Sequence, residues 1–373
     1  MQYDMHYYGT YAMAAAAGIP KGDAEIIAYA SQYVDDQDHT TLESVRQVAD
    51  SICEAVVGIA TAHNPIDAGL LAKVGLLGTQ LYRKNTKTLT DDSRLVWVPF
   101  HFIPGNKGKT FLEKIVCQKD SPIANEMIDN HIKLAGEEAY GPHLMGIAAH
   151  VYADTFAHYG FSGVSSELNS VDVSSIKVSD SHRKETRDYL EGRSTVFQDF
   201  FGIPYEHLEN SVHLGHGGVD THPDRPFLIW EFRYSSGKTE RRSNPDTFVE
   251  ACRKLYDHFI RFAQIRYANN QSNTSIPFAN IEGTVRSIIE YEGKGDDRVE
   301  QWMNAMENGL IGCIKPCVRY DHTAWTVDID NALKERNATK IKNSNAFHFH
   351  AAAEFHRHYV LKLLLPKHEL IIA

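Results

Sequence analysis

The stretch Gly146-Ile-Ala-Ala-His150-Val-Tyr-Ala-Asp154-Thr-Phe-Ala-His158 decides how this chain is expected to fold. Its ionisable residues recur every four positions, so they share one side of a helix and drift round it by about 40° per step. The other positions are apolar on nearly every face, and a helix that is apolar all round lies buried. The pattern therefore predicts a buried helix with one polar stripe, formed by His150, Asp154 and His158.

A buried polar stripe needs an electrostatic explanation. Ionisable groups are costly to bury unless they are paired or bound to a metal ion. Imidazole nitrogens and carboxylate oxygens within reach of one another are suitable ligands for a divalent cation. We therefore interpret His150, Asp154 and His158 as metal ligands. The alternative is an internal His–Asp–His hydrogen-bond relay that holds no metal.

A second pair with the same spacing lies near the end of the chain, in Phe347-His-Phe-His350-Ala-Ala-Ala-Glu354. Only alanines separate His350 from Glu354, which leaves room for a neighbouring helix and lets both side chains reach one ion. The alternative is an exposed hydrogen-bonded pair on a solvated helix face.

Three further candidate ligands come from separate segments. His6 lies in a tyrosine-rich first helix, where a satisfied core histidine is the competing interpretation. Asp35 and Asp36 end the apolar face of the second helix. His101 stands between two phenylalanines in an extended segment, where alternation would turn it away from both of them. A glycine-rich loop, 213–226, adds His216 and Arg225 as candidate substrate-binding residues, since loops often carry function.

The remaining patterns predict one mainly helical domain over residues 1–373, with a loop and β insertion around 160–240. Helices are expected at 3–17, from Asp23, at 45–59, 123–134, 140–159, from Asn244, and at 281–291, 299–310 and 347–365. Pro99 confines 95–103 to an edge strand or an extended segment. Residues 160–180 are polar and without a clear period, which favours a loop, whereas 227–234 followed by Ser-Ser-Gly favours one strand of a hairpin.

Composition limits the partners and the location. The chain has 373 residues and a formal charge of −10, which argues against a nucleic-acid backbone or an anionic membrane as the default partner. Five scattered cysteines do not form a disulfide framework. We find no signal-peptide pattern and no apolar run long enough to span a bilayer, so a cytoplasmic location is expected. The oligomeric state is left open.

The order of the candidate ligands resembles that of the zinc-dependent phospholipase C and S1/P1-type nuclease superfamily. The resemblance rests on a helical His-x-x-x-Asp with a further histidine downstream, an N-terminal histidine, an early aspartate, an intermediate histidine and a late His-x-x-x-Glu. It differs in spacing, because that superfamily has five residues between its Asp and the following His, and this chain has three. The stretch Asp154-Thr-Phe-Ala-His158-Tyr-Gly-Phe-Ser-Gly also resembles an uncharacterised bacterial protein family.

The superfamily resemblance implies an all-α multi-helix bundle with a small β-hairpin excursion and one to three zinc ions, with manganese or iron as further options. The ligands that it implies are His6, Asp36, His101, His150, Asp154, His158, His350 and Glu354. Asp154 would bridge ions, and Asp36 would be a ligand or the base that acts on the attacking water. Arg225 would add a bidentate phosphate contact.

The expected function is therefore metal-dependent hydrolysis of a small-molecule or lipid phosphoester by a metal-activated water. The alternative is a non-catalytic metal-binding or ligand-binding helical protein. An HD-type phosphohydrolase is disfavoured because none of the 20 histidines is followed by aspartate. A di-iron carboxylate protein is disfavoured because the chain lacks paired Glu-x-x-His motifs.

Overall fold

A computed structural model describes residues 1–37, 59–62, 93–190, 215–268, 274–312 and 314–372 of the chain. Most of these residues are helical, and they include one small three-stranded antiparallel sheet, which confirms a mainly helical fold with a β excursion. The predicted helix at 45–59 lies outside the described residues except for its last position. In the described part of the chain, no helix has both the length and the apolar character needed to cross a bilayer.

The helices predicted from the sequence are present wherever the structure describes those residues. The α-helices are α1 (Thr10–Ala16), α2 (Lys21–Asp36), α3 (Phe111–Lys114), α4 (Pro122–Ala135), α5 (Gly141–His158), α6 (Asn244–Arg266), α7 (Phe278–Ile289), α8 (Gly295–Glu307), α9 (Ala324–Lys334), α10 (Ala338–Lys342), α11 (Asn345–His358) and α12 (Leu365–Lys367). Three of these helices, α3, α9 and α10, were not predicted. Three π-helical segments accompany the α-helices, at Asp4–Gly9, Ser93–His101 and Tyr359–Leu364.

Helix α5 is the centre of the fold. All of its residues are buried, as its apolar character predicts. It packs against α2, α4, α6, α11 and the π-helix Ser93–His101, so five helical elements surround it. Because the polar stripe of α5 has no face open to bulk water, its side chains must find partners on these neighbours.

Gly146 allows α5 to approach α2 very closely. A Cβ at this position would lie 2.4 Å from the carbonyl oxygen of Ile27 and 2.6 Å from the Cβ of Ala30. The contact is helix against helix, so the backbone oxygen cannot move aside as a flexible side chain would. Gly146 precedes His150 by one turn, and the close approach brings the His150 ring within hydrogen-bond distance of the Ser31 carbonyl.

The sheet forms a second, smaller core beside the helices. Strand β1 (Val171–Val178) pairs with β2 (Ile229–Tyr234), and β2 pairs with β3 (Thr239–Ser243), both antiparallel. Alternate residues of β2, from Trp230 to Tyr234, are buried against Phe161, as a period of two requires. The predicted hairpin is confirmed.

Two local predictions were wrong. Residues 171–178 form β1, although their serine-rich sequence favoured a loop; pairing with the hairpin edge overrides weak intrinsic preference here. Residues 93–101 form a π-helix rather than an extended segment, with Phe102 N–H donating to the carbonyl of Trp97 at 2.8 Å. Short apolar runs do not distinguish strand from helix by period, and Pro99 removes only one donor from the wide π-helical turn.

We expect Gly146→Ala to destabilise the protein by about 3 kcal/mol, because the added methyl group must push α5 away from the α2 backbone. Thermal and denaturant unfolding would measure the loss. Gly283→Ala is the matched control: Gly283 is exposed within α7, and a Cβ there would meet nothing within 4 Å. That variant should be more stable than wild type by about 0.5–1 kcal/mol. Equal effects of the two substitutions would contradict the close-packing explanation.

Candidate metal centre

Five segments deliver imidazoles and carboxylates to one buried region of the described structure. Helix α5 supplies His150, Asp154 and His158. The π-helix Asp4–Gly9 contributes His6, the end of α2 contributes Asp35, and the π-helix Ser93–His101 contributes His101. The loop before β2 contributes His216 and Asp224. Two of the histidines therefore lie on π-helical turns, which are uncommon and often occur at functional sites.

Four ligand atoms surround a first position. The Nδ1 of His101 lies 3.2 Å from the Nε2 of His150. Oδ2 of Asp154 lies 3.4 Å from the His101 nitrogen and 3.2 Å from the His150 nitrogen. The Oδ1 of Asp35 is 3.8 Å from the His101 nitrogen and 3.7 Å from the His150 nitrogen. Ligand atoms arranged tetrahedrally at zinc–nitrogen distances are about 3.3 Å apart, so these separations suit a single ion of that size.

The backbone fixes which nitrogen of each ring faces this position. The Nδ1 of His150 lies 2.8 Å from the carbonyl oxygen of Ser31, and the Nε2 of His101 lies 2.8 Å from that of Thr61. A carbonyl oxygen can only accept, so both ring nitrogens are donors there, and the opposite nitrogens of the neutral rings carry lone pairs. The two nitrogen lone pairs face each other, and both face the Asp154 carboxylate. These groups repel one another unless a cation or a proton lies between them. Histidine ligands of metals commonly donate their other N–H in this way.

A second position lies on the other side of the same carboxylates. The Nε2 of His6 is 3.2 Å from Oδ1 of Asp154 and 3.9 Å from Oδ2 of Asp35. Asp35 and Asp154 thus each present one oxygen to the first position and the other to His6. Both nitrogens of the buried His6 ring lack a hydrogen-bond partner in the described structure. A carboxylate pair shared in this manner could supply oxygens to two neighbouring ions.

A third position is formed by His158, His216 and Asp224. The Nδ1 of His158 donates to the carbonyl oxygen of His101 at 2.9 Å, and the Nδ1 of His216 donates to that of Asp220 at 2.8 Å. Their Nε2 atoms consequently face Asp224. The Nε2 of His158 lies 3.1 Å from Oδ1, and the Nε2 of His216 lies 3.5 Å from Oδ2. Hydrogen bonds to backbone carbonyl groups therefore orient four of the five histidine rings of the centre, and the exception is His6.

The amino group of Met1 lies between the second and third positions, 2.8 Å from Oδ1 of Asp154 and 3.3 Å from Oδ1 of Asp224. Burial acts to lower the pKa of this amine, but Asp154 and Asp224 outweigh burial and raise the pKa to about 11. Burial likewise acts to raise the pKa of Asp224, yet the amine, His216 and His158 hold it well below its usual range. The carboxylates are thus ionised and partly compensated within the protein.

Burial, reinforced by His150 and the Met1 amine, lowers the pKa of His6 to about 3. Burial also lowers the pKa of His216. For His101, burial favours the neutral ring, but Asp154 and Asp35 outweigh it and raise the pKa. Neutral His6 and His216 present lone pairs at neutral pH, whereas His101 holds a proton more readily in a metal-free site. A metal ion at the first position would displace that proton.

The structure brings together most, but not all, of the residues predicted from the sequence. His6, His101, His150, Asp154 and His158 converge, and His216 joins them as a potential ligand rather than a substrate contact. Asp35 and Asp224 complete the groups. Asp35 was a candidate beside Asp36, but the ligand set implied by the resemblance kept only Asp36, and Asp224 lies in the histidine-rich loop and was not in that set. Adjacent helical residues point about 100° apart, so only one of the acidic pair can face the stripe, and the sequence pattern does not say which.

Three predicted ligands are not in these groups, and Arg225, the predicted phosphate contact beside Asp224, has other partners. The Asp36 carboxylate accepts from the Tyr320 hydroxyl and from Gln32. His350 is buried, with Nδ1 accepting from the Ile59 N–H, and Glu354 is exposed beside a small surface cavity. Glu354 does not join the ligand groups because its side chain is exposed on the outer face of α11. Arg225 donates to Thr221 and lies over the Tyr189 ring.

Residues 1–364 match a family of unknown function, DUF6765, and the chain belongs to that family. No curated protein and no solved structure matches the chain.

A buried ion pair holds the segment that carries His6. Arg298, on α8, donates from Nε to Oδ2 of Asp4 at 2.7 Å and from Nη2 to Oδ1 at 3.2 Å. It also donates to the Gly293 carbonyl and to the Gln2 side chain. Neither Arg298 nor Asp4 is exposed. The guanidinium therefore fixes both ends of the short stretch from Gln2 to Asp4, which ends two residues before His6.

Asp4→Asn should destabilise the protein by about 3–5 kcal/mol, because it leaves the Arg298 charge buried without its partner. Denaturant unfolding measures this loss. Glu250→Gln breaks the half-exposed pair with Lys119 and serves as the control, with an expected change of about 0–1 kcal/mol. A change in Asp4→Asn no larger than in the control would show that this ion pair does not anchor the segment.

Proposed function

We propose that this member of DUF6765 is a metal-dependent hydrolase that cleaves a phosphoester with a metal-activated water. The described residues offer three positions for divalent cations, and zinc fits their mixture of imidazole and carboxylate donors best, with manganese and iron as alternatives. The reaction class is suggested by the part of the ligand order that His6, His101, His150 and Asp154 share with the phospholipase C and S1/P1 nuclease superfamily; the late His350 and Glu354 are not in the ligand groups.

One observation carries the proposal. In the first position two imidazole lone pairs, each fixed by a backbone carbonyl, face one another at 3.2 Å beside the Asp154 carboxylate. A metal-free relay of neutral rings would require alternating donors and acceptors, which the carbonyls of Ser31 and Thr61 prevent. A metal-free centre therefore needs an extra proton, which His101 would hold. A single cation satisfies all of these atoms at once.

The openness of the centre favours catalysis over a purely structural metal. The side chain of Asp35 is 32% exposed, whereas those of His6 and His150 are fully buried. The third position is also partly open, since the His216 side chain is 19% exposed and that of Asp224 14%. Catalytic metal sites keep an open coordination position, and structural sites are closed.

The residues have distinct roles in the proposed reaction. His101 and His150 would hold an ion at the first position, and His6 would hold one at the second, with Asp154 as the shared carboxylate. Bound ions would lower the pKa of a coordinated water and stabilise charge on the phosphoryl oxygens. Asp35, at the exposed edge, would accept a hydrogen bond from the attacking water and orient it. Asp36 has no assigned role because its carboxylate is held by Tyr320 and Gln32.

Metal analysis of the purified protein tests the centre. Wild type should carry bound divalent metal, and Asp154→Ala should lose most of it, because Asp154 serves two positions. His216→Ala should lose less, since it lines only the third position. His143→Ala is the matched control: His143 is a buried histidine of the same helix, but its Nε2 contacts Asn345 outside the centre. The proposal fails if metal-supplemented wild type binds none, or if Asp154→Ala and His143→Ala retain equal amounts.

Activity of the metal-loaded protein tests the reaction. We expect hydrolysis of bis(p-nitrophenyl) phosphate, p-nitrophenyl phosphate or p-nitrophenylphosphorylcholine. His150→Ala should reduce the rate by about 100-fold or more, whereas His143→Ala should keep it near wild type. Chelation should abolish activity, and zinc should restore it. Stoichiometric metal without activity on a diester, a monoester or a lipid headgroup analogue would support the non-catalytic metal-binding function, which the deep burial of His6 and His150 favours.

A further inference from the structure

The loop between the π-helix Ser93–His101 and α4 exposes two large apolar side chains next to each other. Phe111 is 47% exposed and Leu112 is 48% exposed, and they form the first turn of the short helix α3. Single exposed apolar residues are common on protein surfaces, whereas these two are adjacent and together form a small apolar surface, which we call the tip of the loop.

This loop is ordered by its own hydrogen bonds. The Thr110 hydroxyl accepts from Glu113 N–H, and the Glu113 carboxylate accepts from the N–H groups of Lys109 and Thr110, which makes a complete capping box. Below the tip, Gly105 N–H donates to Val116 at 2.9 Å, and Asn106 N–H donates to Lys114 at 2.9 Å. The two apolar side chains are therefore held outward by a defined scaffold.

The charge around the tip is opposite to that of the whole protein. Lys107, Lys109 and Lys114 lie within the loop, and their ammonium groups form no ion pair with other residues in the described part of the chain. The one acidic residue of the loop, Glu113, is engaged in the capping box. The whole chain has a formal charge of −10, so this tip is a local cationic surface on an anionic protein.

We propose that the loop 105–114 docks the protein on an anionic phospholipid membrane, with Phe111 and Leu112 entering the interface and the lysines contacting lipid phosphates. Apolar side chains at a membrane surface, with basic residues beside them, bind by insertion and by attraction to anionic lipids. A protein partner is a poorer fit, because a stable interface buries about 800 Å² on each side, far more than two side chains offer.

The base of the loop is joined to the candidate metal centre. Pro104 pairs with Cys117, and Cys117 exchanges backbone hydrogen bonds with Gly160 and Phe161, directly after His158. The other end of the loop follows His101. Docking would therefore hold the segments that carry His101 and His158 at a fixed distance from the bilayer. The docking proposal does not depend on the metal centre, and its test requires no catalytic activity.

Flotation of the full chain with vesicles tests the proposal. We compare vesicles of phosphatidylcholine alone with vesicles that contain phosphatidylcholine and phosphatidylglycerol in a ratio of about 7:3. Wild type should bind the anionic vesicles, and binding should weaken as ionic strength rises, because surface charges are screened. Phe111→Ser/Leu112→Ser should weaken binding by about tenfold or more. Replacing the three lysines by glutamine should weaken it by about fivefold for each lysine.

Matched controls separate the loop from general surface effects. Val318→Ser/Val327→Ser replaces two other exposed apolar residues, which are 66% and 49% exposed. Lys184, Lys315 and Lys342 are exposed lysines outside the loop, and their replacement by glutamine changes the total charge by the same amount. Both controls should bind vesicles as wild type does, and unfolding curves should confirm that every variant is folded.

Three results would overturn the proposal. The first is that wild type does not float with anionic vesicles at low ionic strength. The second is that the loop variants bind these vesicles as well as the control variants do. The third is that wild type self-associates in light scattering, and that Phe111→Ser/Leu112→Ser abolishes this association without affecting flotation. That result would assign the tip to contact with a second copy of the chain. Loss of flotation with metal content unchanged would support docking and leave the proposed reaction to its own tests.

Discussion

The Asp154 carboxylate is buried at the centre of the fold, and the arrangement around it follows from the need to compensate its charge. An unpaired carboxylate in a dry core is costly, so each of its oxygens must meet cations or donors. Oδ1 faces the Met1 amine and His6, and Oδ2 faces His101 and His150. Helix α5 can carry such a group because other elements supply these partners on every side.

The backbone contributes to the centre as much as the side chains do. Carbonyl groups of Ser31, Thr61, His101 and Asp220 each accept from one ring nitrogen and leave the opposite nitrogen facing a carboxylate. The contact between Ser31 and His150 in turn depends on Gly146, which lets α5 and α2 touch. A packing feature of the fold thus determines the tautomer of a candidate ligand, and the tautomer determines what the ring can bind.

The candidate centre and the exposed loop are parts of one continuous stretch of chain. The π-helix that ends at His101 leads into the loop 105–114, and the chain returns through Cys117 to contact the end of α5. Phe102, the first residue after this π-helix, stacks on the His158 ring at 4.6 Å between centroids. The two proposals therefore concern segments that are joined by backbone hydrogen bonds at Cys117.

Local periodicity was enough to predict most helices, the hairpin, and the shared face of His150, Asp154 and His158, because residue spacing within a helix is set by its geometry. It could not select Asp35 over Asp36, or Asp224 over Glu354. These choices depend on which elements pack against α5, and the residues concerned are far apart in sequence, more than a hundred positions for Asp35 and His150 and 66 for His158 and Asp224. His350 and Glu354 have ideal helical spacing, yet neither joins the ligand groups, and Glu354 faces outward on α11. The sequence determined which side chains share a face, and only the tertiary structure decided which faces meet.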